Sequence, residues 1–385
     1  MKIISVVGAR PNFMKIAPFI HAINLYNARS DTKIEHMLVH TGQHYDESMS
    51  SSFFKVLNIP DADINLGIGS GTHAEQVGQT MIEFEKVIRK ENPDWVVVVG
   101  DVNATLACSV TAKKEHIKVC HIEAGLRSND LYMPEEINRL VTDRLSDLLL
   151  TPDKLSVQNL LNEGVSINKI KFVGNIMIDT LEKFKAKAST IELNDIIKRN
   201  SLSDDNTDSD WELLDEQYGI ITLHRPSNVD FVEVLEPLID FIIHEVTSEL
   251  PVIWPIHPRT KNQLKNIGLL EKVTDCQRII LLQPIDYLDM LRLNMGAKMM
   301  LTDSGGLQEE CTILGTPCLT MRWNTERPIT LVEHGGVSIL VGNHVDKIRE
   351  TFNSVVKKNR KPERPELWDG YTSERCLEAM LNYRD

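Results

Sequence analysis

Short apolar blocks alternate with amphipathic stretches along the whole chain. WVVVV at 95–99 is the plainest block, and a continuous apolar run of this length fits a strand buried on both faces. Comparable strands are predicted at 2–7, 35–40, 117–122, 147–150 and 170–173. Helical spacing lies between them, most clearly at 74–90, where Val77, Met81, Phe84 and Ile88 share a face. The polar run SLSDDNTDSD at 201–210 then reads as a surface loop. A second series of strands follows near 219–223, 252–256, 279–282, 298–302, 317–320 and 338–341. Strand–helix alternation predicts parallel sheets covered by helices, and two series predict two doubly wound α/β domains in tandem. Ligands in such folds bind at the carboxyl ends of strands, and a cleft between two domains is the natural site.

Composition narrows the class. At 385 residues the chain exceeds one ordinary core. It is 42% hydrophobic and 25% charged, without a biased tract or an apolar run of bilayer length, so no membrane partner is expected. MKIISVVGAR reads as a first strand and not as a signal peptide, which makes a cytoplasmic location the expectation. The net charge of −13 weighs against nucleic acid but leaves room for a phosphate-bearing small molecule in a local positive pocket. The six cysteines form no CxxC pair and are expected to be reduced core residues, with no metal site.

Several strand ends carry chemistry. In LTDSGGLQEECTILG, 301–315, a strand ends at Thr302, Ser304–Gly305–Gly306 turn the chain, and a helix is predicted from about Leu307 to Leu314, with Gly315 as its C-cap. Glycines admit close backbone approach and a helix start favours an anion, so a diphosphate fits there, with Glu309 or Glu310 placed to accept from ribose hydroxyls. The alternative is a tight turn with dipole-capping glutamates. VVGARPNFMK, 6–15, is a similar turn bearing Arg10 and Lys15. VVVVGDVNATLA, 96–107, ends its strand in Gly100–Asp101, where Asp101 is either functional or a helix N-cap. HIEAGLRSNDLYMPEEINR, 121–139, gathers Glu123, Arg127, Glu135, Glu136 and Arg139, with Pro134 opening a helix. First-turn placement alone accounts for one of Glu135 and Glu136, but not for Glu123 or Arg127. ITLHRPSNVD, 221–230, and PIHPRT, 255–260, set His224 and His257 at strand ends. GSGTHA at 69–74 matches a dinucleotide fingerprint only weakly, because DINLGI before it is a poor central strand.

Taken in order, GARPNFMKIAP, TGQHYD, GDVNATLA, HIEAGLRS, MPEEINR, VGNIMIDT, LHRPSNVD, HPRT, TDSGGLQEE and NTERP resemble the non-hydrolysing UDP-N-acetylglucosamine 2-epimerase family over nearly the whole chain. The resemblance implies a glycosyltransferase-B-like fold of two Rossmann-like domains around a cleft. It places them at 1–174 plus 364–385 and at 175–363, with a C-terminal helix at about 364–384 crossing back to the first. It implies a homodimer that interconverts UDP-GlcNAc and UDP-ManNAc with no cofactor, by eliminating UDP to a 2-acetamidoglucal and adding it back. Asp101, Glu123 and Glu135 match the family's acid/base carboxylates and His224 its essential histidine. Arg10 and Lys15 match phosphate-side cations. Ser304, Gly305, Gly306 and Glu310 match the UDP segment, with Arg327 facing the same region. Gln43 and His44 match residues near the sugar. Arg127, Arg139 and His257 join the substrate-binding set, and Glu136 is expected to orient or cap.

Two departures bear on the sugar. The loop NDLYMPEE is shorter than in many relatives, and HRPSN stands where many have HRRE. The short MPEEINR form also resembles the branch acting on UDP-2,3-diacetamido-2,3-dideoxyglucuronate. Activation by a second UDP-GlcNAc is not expected, since TGQHYD and GSGTHA differ from the segments that bind it. A hydrolysing epimerase, a glycosyltransferase sharing the fold and a non-catalytic UDP-sugar sensor are the competing readings.

Overall fold

The computed structural model describes residues 1–42, 61–202 and 213–384. The chain divides into two compact units, Met1–Lys183 with Glu366–Asp385, and Phe184–Pro365. The first changeover falls inside the helix Ile176–Ala188, later than the 174/175 expected from the resemblance.

The first unit is built on seven parallel strands: β1 (Lys2–Val7), β2 (Glu35–His40), β3 (Ile64–Asn65), β4 (Trp95–Val99), β5 (Lys118–Ile122), β6 (Leu148–Thr151) and β7 (Ile170–Phe172). Their order is β3-β2-β1-β4-β5-β6-β7. The order reverses between β1 and β4, which pair directly, so their carboxyl ends frame the switch point where such sheets bind ligands. All five residues of β4 are buried, as its unbroken apolar run requires.

The second unit carries β8 (Gly219–Thr222), β9 (Val252–Pro255), β10 (Ile279–Leu282), β11 (Met299–Thr302), β12 (Cys318–Thr320) and β13 (Ser338–Leu340), in the order β10-β9-β8-β11-β12-β13. Its switch point lies between β8 and β11. The strand period of two divides its core by face. Ile221, Val252, Trp254, Leu301 and Leu319 pack on one side, and Ile220, Ile253, Ile280, Met300 and Cys318 on the other. All six cysteines are free thiols, five of them buried. No helix among the described residues is long and apolar enough to cross a membrane.

The C-terminal helix forms at Thr372–Leu381 and belongs to the first unit. Asp179 of the VGNIMIDT segment accepts the backbone N–H groups of Thr372 (3.0 Å) and Ser373 (2.7 Å) at its start. These donors lack partners in their own first turn, so the buried carboxylate fixes where the helix begins.

The 74–90 helix forms at His73–Glu91, with Thr72 as N-cap in a capping box with Glu75. The GSGTHA turn thus leads into an ordinarily capped helix. It follows β3, a two-residue strand at the sheet edge and no platform for a dinucleotide.

Candidate active site

In the first unit, Glu123 leaves β5 with φ +72°, a left-handed conformation that a side-chain-bearing residue adopts at a cost. It is buried, and its Oε2 is paired with the buried ammonium of Lys15. Lys15, matched to the phosphate side by resemblance, therefore sits on a candidate acid/base carboxylate. Gly100, at φ +69°, closes this corner from β4. A Cβ there would lie 3.4 Å from each of Asn12 Nδ2, Lys15 Nζ and Glu123 Oε2. Asn12 holds the β1 turn to β4: its Oδ1 accepts from Gly8 and Ala9, and its Nδ2 donates to Val99 O.

Asp101 is not a cap. The next helix, Asn103–Lys114, has Val102 as its N-cap residue. The Asp101 carboxylate instead takes Nη1 of Arg139, and Asn138 donates to its carbonyl at 2.8 Å. Arg139 is buried and also donates to Glu136 Oε2 from Nη2 (2.6 Å) and Nε (3.0 Å). Glu136 further accepts the backbone N–H groups of Ser128 and Asn129, both at 3.0 Å. Burial raises its pKa, but these donors and Arg139 outweigh it, so the carboxyl stays below its ordinary range. Glu136 thus orients the loop before its helix, as expected.

Glu135 stands exposed in the first turn of Pro134–Leu145 and makes no ion pair with a described residue. Arg127 is buried. Its guanidinium is turned inward onto Asp143 (2.7 Å), Glu163 (2.7 Å) and the carbonyl of Leu126. Gln43, His44 and the side chain of Arg10 lie outside the described part of the structure.

In the second unit, His224 follows β8 and its Nδ1 lies 2.7 Å from Oδ1 of Asp303, at the end of β11. Asp303 is fully buried and also accepts from the backbone of His224 and Arg225 and from Asn228 Nδ2. Burial pushes its carboxyl up, but His224 and these donors hold it below the usual carboxylate range. The His257 ring lies 5.6 Å from that of His224, and its Nδ1 accepts from Arg259 N as an N-cap.

The helix predicted from Leu307 begins earlier, at Gly305, with Ser304 as N-cap residue, so both glycines sit in its first turn. A Cβ on Gly305 would stand 2.7 Å from Glu326 Oε1 and 2.8 Å from Arg327 Nη1, while Gly306 has open space. Arg327 is paired with Glu326 and, through Nε at 2.9 Å, with Glu309. Glu309 is therefore an ion-pair partner of Arg327 through Oε1. Glu310 is buried beside it, and burial together with the charge of Glu309 pushes its carboxyl up to about 8. Arg322 donates from Nη2 to Glu326 at 2.6 Å. Its buried Nη1 has no hydrogen-bond partner among the described residues and lies 3.4 Å from where a Gly305 Cβ would be.

Asp303 and Arg322 were not among the residues singled out from sequence. Asp303 had a signal, since it ends β11 beside the switch point as Asp101 does β4. Arg322 had none, because its value comes from packing against Gly305. Among the described residues no cluster of His, Cys, Asp and Glu is arranged to hold a metal ion.

Comparison with known proteins identifies the family and the fold. Residues 27–381 match the family model described as UDP-N-acetylglucosamine 2-epimerase. The chain is 41% identical over 385 residues to UDP-N-acetylglucosamine 2-epimerase of Methanocaldococcus jannaschii, covering 99% of each chain. The crystal structure of the M. jannaschii enzyme with UDP-GlcNAc and UDP superposes with a TM-score of 0.86 over all of both chains, at 40% identity. The UDP-2,3-diacetamido-2,3-dideoxy-D-glucuronate 2-epimerase of Pseudomonas aeruginosa is 37% identical over 384 residues, again covering 99% of each. A lipopolysaccharide outer core galactosyltransferase, 13% identical over 99% of each chain, shares the fold at a TM-score of 0.53.

Proposed function

The chain belongs to the UDP-N-acetylglucosamine 2-epimerase family, and from that premise we propose that it interconverts UDP-GlcNAc and UDP-ManNAc without hydrolysis. The observation that carries the reading is the contrast between the two switch points. One gathers carboxylates, Asp101 and Glu123 with Glu135 nearby in sequence. The other gathers an Asp-held histidine and a glycine helix start beside Arg322 and Arg327. Carboxylates suit proton transfer at a carbon, and the helix start with its cations suits a departing diphosphate.

The proposed chemistry is an elimination. A carboxylate removes the C2 proton, the C1–O bond to UDP breaks, and a C1=C2 double bond forms. UDP leaves with the electron pair of the C1–O bond. Re-addition of UDP to C1, with protonation of C2 from the opposite face, gives the epimer. No electrons are gained or lost overall, so the reaction asks for no redox cofactor. His224, with Nδ1 directed at Asp303, would offer Nε2 to the leaving phosphate. Arg322 Nη1 and the first-turn N–H groups of Gly305 and Gly306 would hold the same charge. Glu136 and Arg139 would act as positioning residues for Asp101.

The test is incubation with UDP-GlcNAc alone, followed by anion-exchange separation of the products. Two UDP-sugars at a stable ratio with little UDP support the proposal. Stoichiometric UDP with free sugar would assign the hydrolysing reaction instead. A second reading, the 2,3-diacetamido uronic acid substrate, is favoured by the short NDLYMPEE loop and the P. aeruginosa relative. Turnover of that sugar with none of UDP-GlcNAc would select it.

A further inference from the structure

The epimerase reading makes no use of His121, yet this residue is fully buried between the two strand ends that carry Asp101 and Glu123. Its Nδ1 lies 2.6 Å from Oδ1 of Asp143, and its Nε2 lies 2.8 Å from the carbonyl oxygen of Gly100. A carbonyl oxygen only accepts. Asp143 is already an acceptor, since its Oδ2 takes Gly125 N at 3.0 Å and Arg127 Nη1 at 2.7 Å. A neutral imidazole carries one N–H and satisfies only one of its two neighbours as a donor, whereas the imidazolium satisfies both. Arg127 is in turn paired with Glu163, so positive and negative groups alternate through the cluster.

We infer that His121 is an imidazolium clamp, a positioning residue that sets Asp101 and Glu123 for proton transfer by fixing the Gly100 carbonyl. This rests on the epimerase reading. The Gly100 carbonyl belongs to the peptide plane shared with Asp101, so holding it sets how Asp101 leaves β4. Gly100 itself is left-handed, with Asn12, Lys15 and Glu123 around its Cα, and a rotated peptide would disturb that corner. On its other side His121 is two residues from Glu123, whose left-handed backbone persists only if its surroundings hold it. Asp143 completes the arrangement by binding Gly125 N just beyond Glu123. His121 touches no reacting atom and acts through these two carboxylates.

Two variants separate the clamp from general stability. His121→Asn places an amide N–H near the old Nδ1, which keeps the Asp143 bond and loses Gly100. His121→Gln places one near the old Nε2, which keeps Gly100 and loses Asp143. Only the Gln variant takes a donor away from the buried Asp143 carboxylate, so it is the less stable of the two. The clamp predicts that the Gln variant is nevertheless the more active, with the Asn variant losing about 100-fold in kcat for C2 exchange at little change in KM. Activity that merely follows melting temperature, with Asn ahead of Gln, overturns the clamp. In wild type, nitrogen NMR of labelled histidine should show that both ring nitrogens of His121 carry protons, as its two acceptors require. An unprotonated nitrogen overturns it independently of activity. Absence of any C2 exchange in the wild type would instead strike the epimerase reading.

Discussion

Nδ1 of His224 lies 2.7 Å from Oδ1 of Asp303, and that buried carboxylate also accepts from three donors of the 224–228 turn, the backbone N–H groups of His224 and Arg225 and Nδ2 of Asn228. The bond assigns the Nδ1 proton and leaves Nε2 as the nitrogen available to a ligand. Asp303→Asn keeps the size of the group but leaves one acceptor oxygen, which the donors on Oδ2 hold, so that an amide N–H faces Nδ1 of His224. We expect kcat to fall by about 10²- to 10⁴-fold, the range of a misset acid/base group. Steady-state kinetics with circular dichroism as a fold control checks this; kcat within threefold of wild type would contradict it.

Lys15 and Glu123 form a buried pair in which stability and chemistry can be separated. Lys15→Met leaves a buried carboxylate without its cation and should cost about 3–5 kcal/mol in urea unfolding. Adding Glu123→Gln removes the buried charge itself and should recover much of that loss. Activity should not return with it, because the proposed acid/base group is gone. A double variant that regains both stability and turnover would exclude Glu123 from proton transfer.

Gly305 and Gly306 are adjacent, but their surroundings differ. A methyl group on Gly305 collides with Glu326 and Arg327, and one on Gly306 meets nothing within 4 Å. Without UDP, Gly305→Ala should destabilise the protein by about 1–3 kcal/mol through overpacking. Gly306→Ala should stay within about 0.5 kcal/mol of wild type, as open surface positions do. Equal costs would contradict the assigned crowding.

Burial and the neighbouring Glu309 raise the Glu310 carboxyl to about 8, against 4.5 as its ordinary value. Between those pH values the folded protein holds a proton that the unfolded chain has released. This group's effect on stability therefore worsens as pH rises through that window and is absent below it. Glu310→Gln removes the penalty. Its gain in melting temperature over wild type should be at least about 2 °C larger at pH 8.5 than at pH 5. A gain that is flat or reversed with pH would refute the raised pKa.

The strands were legible in the sequence because parallel sheets buried on both faces demand unbroken apolar runs, whereas the switch points depend on the order of the strands in each sheet, which periodicity does not give. The strand-end residues Asp101, Glu123, His224 and Ser304 were legible for the same reason. Apart from Glu136 and Arg139, the supporting groups were not. The helix Pro134–Leu145 buries Glu136, Asn138, Arg139, Thr142 and Asp143, so its inward face is polar. Periodicity rules look for an apolar stripe and pass over such a face. The Asp143 and Glu163 partners of Arg127 were not legible either, because they lie 16 and 36 residues away in the chain. The helix Gly305–Leu314 was placed two residues late because glycine reads as a loop former, whereas here crowding by Glu326 and Arg327 requires it.

The central claim is that a carbon–hydrogen bond at C2 is broken and remade. Proton NMR of the protein with UDP-GlcNAc in D2O, with no cofactor added, tests it most directly. The account predicts loss of the C2 proton signal through deuterium uptake, together with growth of a UDP-ManNAc anomeric signal. Appearance of the epimer with the C2 proton fully retained would contradict it.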